Sequence, residues 1–154
     1  MMDVEYGIAT SNELPRIVEM KVAMFDEAGH GDLLGDNAVS LVLNDYEHLY
    51  REGIAAHFVA RDNGEIIASA GAFIKSDLPF RYFDPAIYGF IGDVFTEKAY
   101  RNRGISTVLN KDALKWLKTK GVLMVRLLAS EAGRTIYVRL GFQPTDEMAL
   151  NLQI

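Results

Sequence analysis

The chain contains no cysteine. That absence excludes disulfides, thiolate zinc sites and a cysteine nucleophile together. There is no basic excess either. Lys and Arg number 16 against 21 Asp and Glu, for a net charge of -5, which argues against a nucleic-acid partner gripped through its phosphates. No apolar run approaches the roughly 18 residues that a membrane-crossing helix needs, so no membrane partner is expected. The opening residues, MMDVEYGIAT, carry acids where a secretory leader has a basic and then an apolar stretch. A cytoplasmic location is the expectation. Also missing are the GxxxxGKS/T phosphate loop, a GxGxxG turn after a strand, GxSxG, HExxH and any internal repeat or low-complexity tract.

What is present suits one compact domain over residues 1–154, with 49% hydrophobic and 24% charged residues. The run from Val4 to Thr10 reads as a strand. A helix follows, capped by Thr10 or Ser11, with Pro15 in its first turn and Leu14, Ile17, Val18, Val22 and Phe25 at helical spacing. Residues 28–37 are rich in glycine and aspartate and read as a loop. A second helix ends at Gly53. Two β-type runs flank Asp62-Asn63-Gly64, a hairpin signal. The proline-bearing segment 76–86 reads as a loop, and Ile87 to Thr96 as a third long strand. A helix then carries Ile105, Val108, Leu109, Ala113, Trp116 and Leu117 on one face and stops at Gly121. VLMVRLLAS reads as a buried strand, EAGRTIYVRLGF as a short helix closing at Gly141, and DEMALNL as a last strand. The order is βααβββαβαβ, which implies a mixed sheet covered by helices.

One junction stands out. YRNRGIST, residues 100–107, lies between a strand and a helix and puts Lys98, Arg101 and Arg103 beside Gly104. A helix start offers unpaired N–H groups and the positive end of the helix dipole, which together bind phosphate oxygens. A glycine there lets a ligand approach the backbone. Taken alone, such a turn is equally compatible with a solvated loop.

The segment VFTEKAYRNRGISTVL resembles the acyl-CoA-binding motif of the GCN5-related N-acetyltransferases (GNAT family). That motif runs Arg/Gln-x-x-Gly-x-Gly/Ala, and residues 101–106 match it except that Ser106 stands where Gly or Ala is usual. LLASEAGRTIYVRLGF is similar to the second signature of the family through Tyr137, Leu140, Gly141 and Phe142. The resemblance implies an α/β (α+β) fold with a mixed, mostly antiparallel sheet flanked by helices. It implies acetyl-CoA as cosubstrate, no metal, a small-molecule or peptide amine as acceptor, and allows a homodimer. By resemblance, acetyl-CoA lies in a V-shaped opening beside the third long strand. The backbone of Val94, Phe95 and Thr96 pairs with the pantetheine, and Arg101, Asn102, Arg103, Gly104, Ile105 and Ser106 hold the pyrophosphate. Ser130 and Arg134 contact the far side of the cofactor.

The acceptor amine then attacks the thioester directly. Tyr137 is the implied donor of a proton to the leaving thiolate, since a phenol with pKa of about 10 is protonated at neutral pH. It lies offset from Ile136 and Leu140, which are expected to face the core. Asp93 is the candidate base or water relay for the acceptor ammonium, because residues 88–92 hold no acid. His57 reads as a packed imidazole and His48 as a helix-face residue. His30, with Asp26, Glu27, Asp32 and Asp36, reads as a polar loop on the acceptor side, where acids would attract an amine. The other reading of the same residues is a non-catalytic acyl-CoA-binding domain.

Overall fold

The computed structural model describes residues 3–79 and 84–153. The elements are β1 (Val4–Ile8), α1 (Leu14–Glu27), α2 (Ala38–Arg51), β2 (Ala55–Asp62), β3 (Glu65–Ser76), β4 (Ile87–Thr96), α3 (Ile105–Thr119), β5 (Val125–Leu127) and α4 (Arg134–Arg139). The loop expected over 76–86 falls partly on residues 80–83, outside the described residues.

The strands form one sheet in chain order, β1-β2-β3-β4-β5. The first three pairings are antiparallel and β4–β5 is parallel. This is the expected mixed, mostly antiparallel sheet. The β2–β3 hairpin turns through Asn63 at φ 50° and Gly64 at φ 80°, the left-handed pair that a two-residue type I′ turn requires.

Helices cover both faces. α1 and α2 pack on one through Leu14, Ile17, Val18, Met20 and Tyr46, against Val59, Phe73 and Phe95. α3 packs on the other through Ile105, Leu109, Ala113 and Leu117. There the sheet presents Ala60, Ala68, Ala70 and Ala72, so the helix backbone can lie close. β3 is buried on both faces, and its middle accordingly reads IIASAGAF without polar alternation.

The sheet carries two register shifts, one between β2 and β3 at Ala60/Arg61 and one in β4, which bears on the site. The pairing of β4 to β3 skips from Gly71↔Gly92 to Ser69↔Phe95, so β4 carries one extra residue at Asp93–Val94 opposite Ala70. Asp93 takes φ 52°. The bulge reverses which face each residue meets. Before it, Ile91 faces α3; after it, Phe95 faces α1 and α2. Strict alternation would have put both on one face. The bulge thereby turns the Asp93 side chain toward α1 and α2.

Two expectations are corrected at the far edge. VLMVRLLAS yields only the three-residue β5, partly buried, with Leu123 70% and Leu128 87% exposed. It is the edge of the sheet, and Val125 and Leu127 pack only in part against the α3-side core. Segment 146–152 forms no strand, and Met148, Leu150 and Leu152 are exposed. The observed order is therefore βααβββαβα among the described residues.

The backbone below the bulge leaves no room. A Cβ on Gly71 would stand 2.8 Å from the Phe73 ring, 3.0 Å from the Gly92 carbonyl oxygen and 3.0 Å from the His57 ring. Gly71→Ala should cost about 1–3 kcal/mol through overpacking, read by chemical denaturation; an unchanged midpoint would show that the site can give.

Candidate active site

The parallel pairing of β4 and β5 spans only Gly89–Ile91 against Val125–Leu127. β4 continues to Thr96 with β3 on one side. Among the described residues no strand pairs with Gly92 to Thr96 on the other side. The two parallel strands therefore part into a fork whose β4 arm has one backbone edge without a strand partner among the described residues. Val94, Phe95 and Thr96 lie on that arm.

β4 leads through a short turn to α3. Asn102 sits at φ 63° and Gly104 at φ 78°, and no side chain caps the helix. The N–H groups of the first turn therefore have no side-chain acceptor among the described residues. Ile105 anchors the helix start in the core, 4% exposed. Ser106 is held from behind: Asn110, itself buried, donates to the Ser106 carbonyl (2.8 Å) and to its hydroxyl oxygen (3.2 Å). The hydroxyl proton stays available to a ligand. Arg101 is otherwise engaged. Its guanidinium donates to the Thr96 carbonyl (2.7 Å) and to Glu27 (2.7 Å), and stacks over Phe95. It ties the turn to β4 and to the end of α1, while Arg103 is exposed at the turn.

Beside the fork lies a cavity of about 630 Å³ that runs from Lys21, Tyr46 and Asp93 to Ser130 and Tyr137. Ser130 accepts a hydrogen bond from the Gly133 N–H at 3.1 Å, holding the loop before α4. Tyr137 is the buried residue of α4, at 9% exposure, while Ile136 and Leu140 are only half-buried. This corrects the expected packing of that helix. Its ring stands edge-on to Phe142 at 5.8 Å, and its hydroxyl makes no hydrogen bond among the described residues. Burial pushes the phenol pKa up. Arg134 lies apart from this cavity, lining a second one beyond β5.

The other end of the cavity is a buried polar network. Asp93 Oδ1 accepts from Lys21 Nζ at 2.6 Å, and Oδ2 accepts from the Tyr46 hydroxyl at 2.5 Å and faces His57 Nε2 at 2.9 Å. His57 Nδ1 meets the Tyr50 hydroxyl at 2.8 Å, and that hydroxyl also accepts the His57 N–H. Ser69 donates to the Asp93 carbonyl at 2.8 Å, which fastens the bulge. Burial opposes the Asp93 charge. Hydrogen bonding and attraction from His57 and then Lys21 outweigh it and hold the carboxyl below the usual range. Tyr46 moves the opposite way, its phenol pushed up by burial and by the neighbouring Asp93 charge.

His57 is the packed, satisfied imidazole expected, with no exposure. Lys21, Tyr46, Tyr50 and Asn110 were not foreseen. The tyrosines do share an α2 face at i, i+4, and Lys21 interrupts an apolar stretch of α1. Of the acids near His30, Asp32 and Asp36 lie on the exposed segment between α1 and α2, while Asp26 and Glu27 form the end of α1, not the loop expected, and Glu27 is paired with Arg101.

Residues 25–142 match the family described as Acetyltransferase (GNAT). This chain belongs to that family. GNAT membership carries acetyl transfer with acetyl-CoA as the cosubstrate. Solved GNAT structures share the whole fold. A predicted acetyltransferase from Clostridium acetobutylicum, with acetyl-CoA, is 24% identical, with 97% of each chain covered and a TM-score of 0.88. A GCN5-related N-acetyltransferase from Ralstonia eutropha JMP134 is 23% identical over 97% of this chain and 99% of its own, at 0.85. The aminoglycoside N-acetyltransferase AAC(6')-Iy in complex with CoA is 19% identical over 99% and 96%, at 0.76. None of the curated proteins compared matches the chain. No helix among the described residues is long and apolar enough to cross a membrane.

Proposed function

We propose that this GNAT domain moves an acetyl group from acetyl-CoA to a primary amine of a small-molecule or peptide acceptor by direct attack. One observation carries the reading: the open arm of β4, through Gly92 to Val94, and Tyr137 line one cavity, and the same arm leads through a short turn to the uncapped start of α3. The cavity's volume lies in the range of small-molecule sites, about 300–1,000 Å³.

The chain's groups suit the cosubstrate. Along Val94, Phe95 and Thr96 the edge of β4 turned away from β3 suits the amide-bearing pantetheine, as it would an added strand, with the Thr96 carbonyl already accepting from Arg101. The N–H groups from Gly104 to Ser106, the Ser106 hydroxyl and the charge of Arg103 suit the pyrophosphate. Arg101 serves that loop as a brace, and Asn102 contributes its left-handed backbone. Ser130 flanks the thioester end, whereas Arg134, on the second cavity, stands away from it. Bound acetyl-CoA supplies an activated thioester. The acceptor nitrogen, as the free amine, forms the new N–C bond as the C–S bond breaks; Tyr137 gives its proton to the sulfur and regains one, through water, from the proton that the new amide nitrogen sheds. Asp93 remains an anion, because its pKa is held low and its oxygens are occupied. It therefore acts on the acceptor side as a fixed negative charge near the ammonium, whose proton leaves through water.

The test is a thermal-shift titration with acetyl-CoA, with NAD as control, followed by thiol release with a panel of amines. At 100 times its dissociation constant, acetyl-CoA should add about 2.7 kcal/mol, at roughly 2–4 °C per kcal/mol for a domain of this size. A shift with no amine acetylated would favour a binding domain, and no shift at millimolar acetyl-CoA would reject the site. The loop has its own variant. Gly104→Ala places a side chain at φ 78°, costing about 1–2 kcal/mol. It should weaken acetyl-CoA by about tenfold, the equivalent of roughly 1.4 kcal/mol. An unchanged affinity would remove this turn from the cofactor site.

A further inference from the structure

Among the described residues, five side chains lining the cavity of about 630 Å³ are aromatic: Phe25, Tyr46, Phe73, Phe90 and Tyr137. They come from α1, α2, β3, β4 and α4 in turn. The rings of Tyr46 and Phe73 stand 5.6 Å apart. Gly92 keeps β4 from covering this floor: a Cβ there would stand 3.2 Å from the Phe90 ring and 3.6 Å from the Phe73 ring. The charges in the lining balance. Lys21 and Lys75 stand against Asp45 and Asp93, and Lys21, Tyr46 and His57 already take up the Asp93 carboxylate. Asp45 is exposed on α2. Lys75 is exposed near the end of β3, with Nζ 4.7 Å from the centre of the Phe90 ring, and makes no hydrogen bond or ion pair among the described residues.

An aromatic floor stabilises a flat apolar group laid on it. An ammonium lying over a ring keeps N–H donors for an anion. The strand register supplies the spacing. Gly71 pairs with Gly92, Phe73 with Phe90 and Lys75 with Tyr88. Lys75 leans back over Phe90, two residues from Gly92, so its charge lies about 7 Å from Gly92 along the strand, at roughly 3.4 Å per residue. We propose that the acceptor is an amine that carries a carboxylate across an aromatic ring or a similar flat apolar body. The amine meets the thioester beside Gly92 and Tyr137, the body lies on Phe73 and Phe90, and Lys75 takes the carboxylate. A polyamine is disfavoured, because the described lining holds no excess of acids for its further charges. The assignment rests on the acetyl-transfer reading for the fate of the amine, and goes beyond it in naming what the amine is attached to.

The experiment compares para-(aminomethyl)benzoate with para-(aminomethyl)benzamide, which has the same shape without the charge, and with spermidine. With acetyl-CoA saturating, the benzoate should show a kcat/KM about tenfold above the benzamide, as expected for one charged hydrogen bond, and further above spermidine. Lys75→Met should erase the ratio between the first two, and Lys75→Glu should invert it. Lys75 is exposed, so both variants should fold, which the thermal shift with acetyl-CoA checks. A benzoate no better than the benzamide, a ratio that survives Lys75→Met, or spermidine as the best acceptor overturns the proposal and leaves acetyl transfer standing. If no amine is acetylated, the same compounds are titrated calorimetrically against the protein holding CoA. Benzoate binding about tenfold tighter than benzamide in the wild type, and equal to it in Lys75→Met, would keep the acceptor pocket and remove the acetyl-transfer reading. Binding of neither would overturn both.

Discussion

Asp93→Asn should destabilise the protein by about 3–5 kcal/mol, the usual cost of removing one member of a buried charged network. The carboxylate accepts from Lys21 and Tyr46 and faces His57 from a position 6% exposed. An amide keeps the shape and tolerates the left-handed φ of 52°. It brings one acceptor oxygen, however, and turns its NH2 against a donor. The melting temperature should fall by roughly 6–20 °C at 2–4 °C per kcal/mol. Lys21→Met in the Asp93→Asn background should recover part of the loss, because it removes the cation left without its partner. A loss below about 1 kcal/mol would mean that solvent reaches the network and replaces the carboxylate. The low pKa of Asp93 adds a sign. A carboxyl depressed in the folded state contributes stability that is fully present above its unfolded pKa of about 3.9 and is lost as the pH falls through the folded value. Wild type should therefore lose stability steeply below about pH 4, and Asp93→Asn should show a shallower acid limb.

Tyr137→Phe should lower kcat by about 10²–10⁴-fold, the range for one positioned proton donor, with acetyl-CoA affinity unchanged. The variant separates chemistry from packing. Phenylalanine keeps the edge-on contact with Phe142. The lost hydroxyl leaves no partner unsatisfied among the described residues, so stability should hold within about 0.5 kcal/mol. Burial pushes the phenol pKa up, so the donor stays protonated through neutral and mildly alkaline pH. A loss of less than tenfold would hand the proton to water and remove Tyr137 from the acid role. A weakened acetyl-CoA affinity would instead make it a binding residue.

The sequence by itself determined whatever depends on neighbouring residues. Asn63-Gly64 specify a left-handed two-residue turn because few other pairs adopt those torsions. Gly104 marks the start of α3 for the same reason, and the stripe from Ile105 to Leu117 declares the buried face of that helix. The two GNAT signatures are also local, and they named the acceptor-independent half of the chemistry. Only the tertiary structure decided the rest. The bulge at Asp93 is set by how β4 registers on β3, and it reverses the face on which Asp93 and Phe95 stand. Lys21, Tyr46 and His57 reach Asp93 from α1, α2 and β2, with Tyr50 behind His57, over separations of up to 72 positions, which no spacing pattern reports. Pairing misled at the C-terminus, where residues 146–152 have strand alternation but no strand beside them. Alternation describes a face to be buried, and a strand forms only where a partner supplies its hydrogen bonds. Tyr137 was placed by its motif, but its burial and its unbound hydroxyl come from where α4 packs.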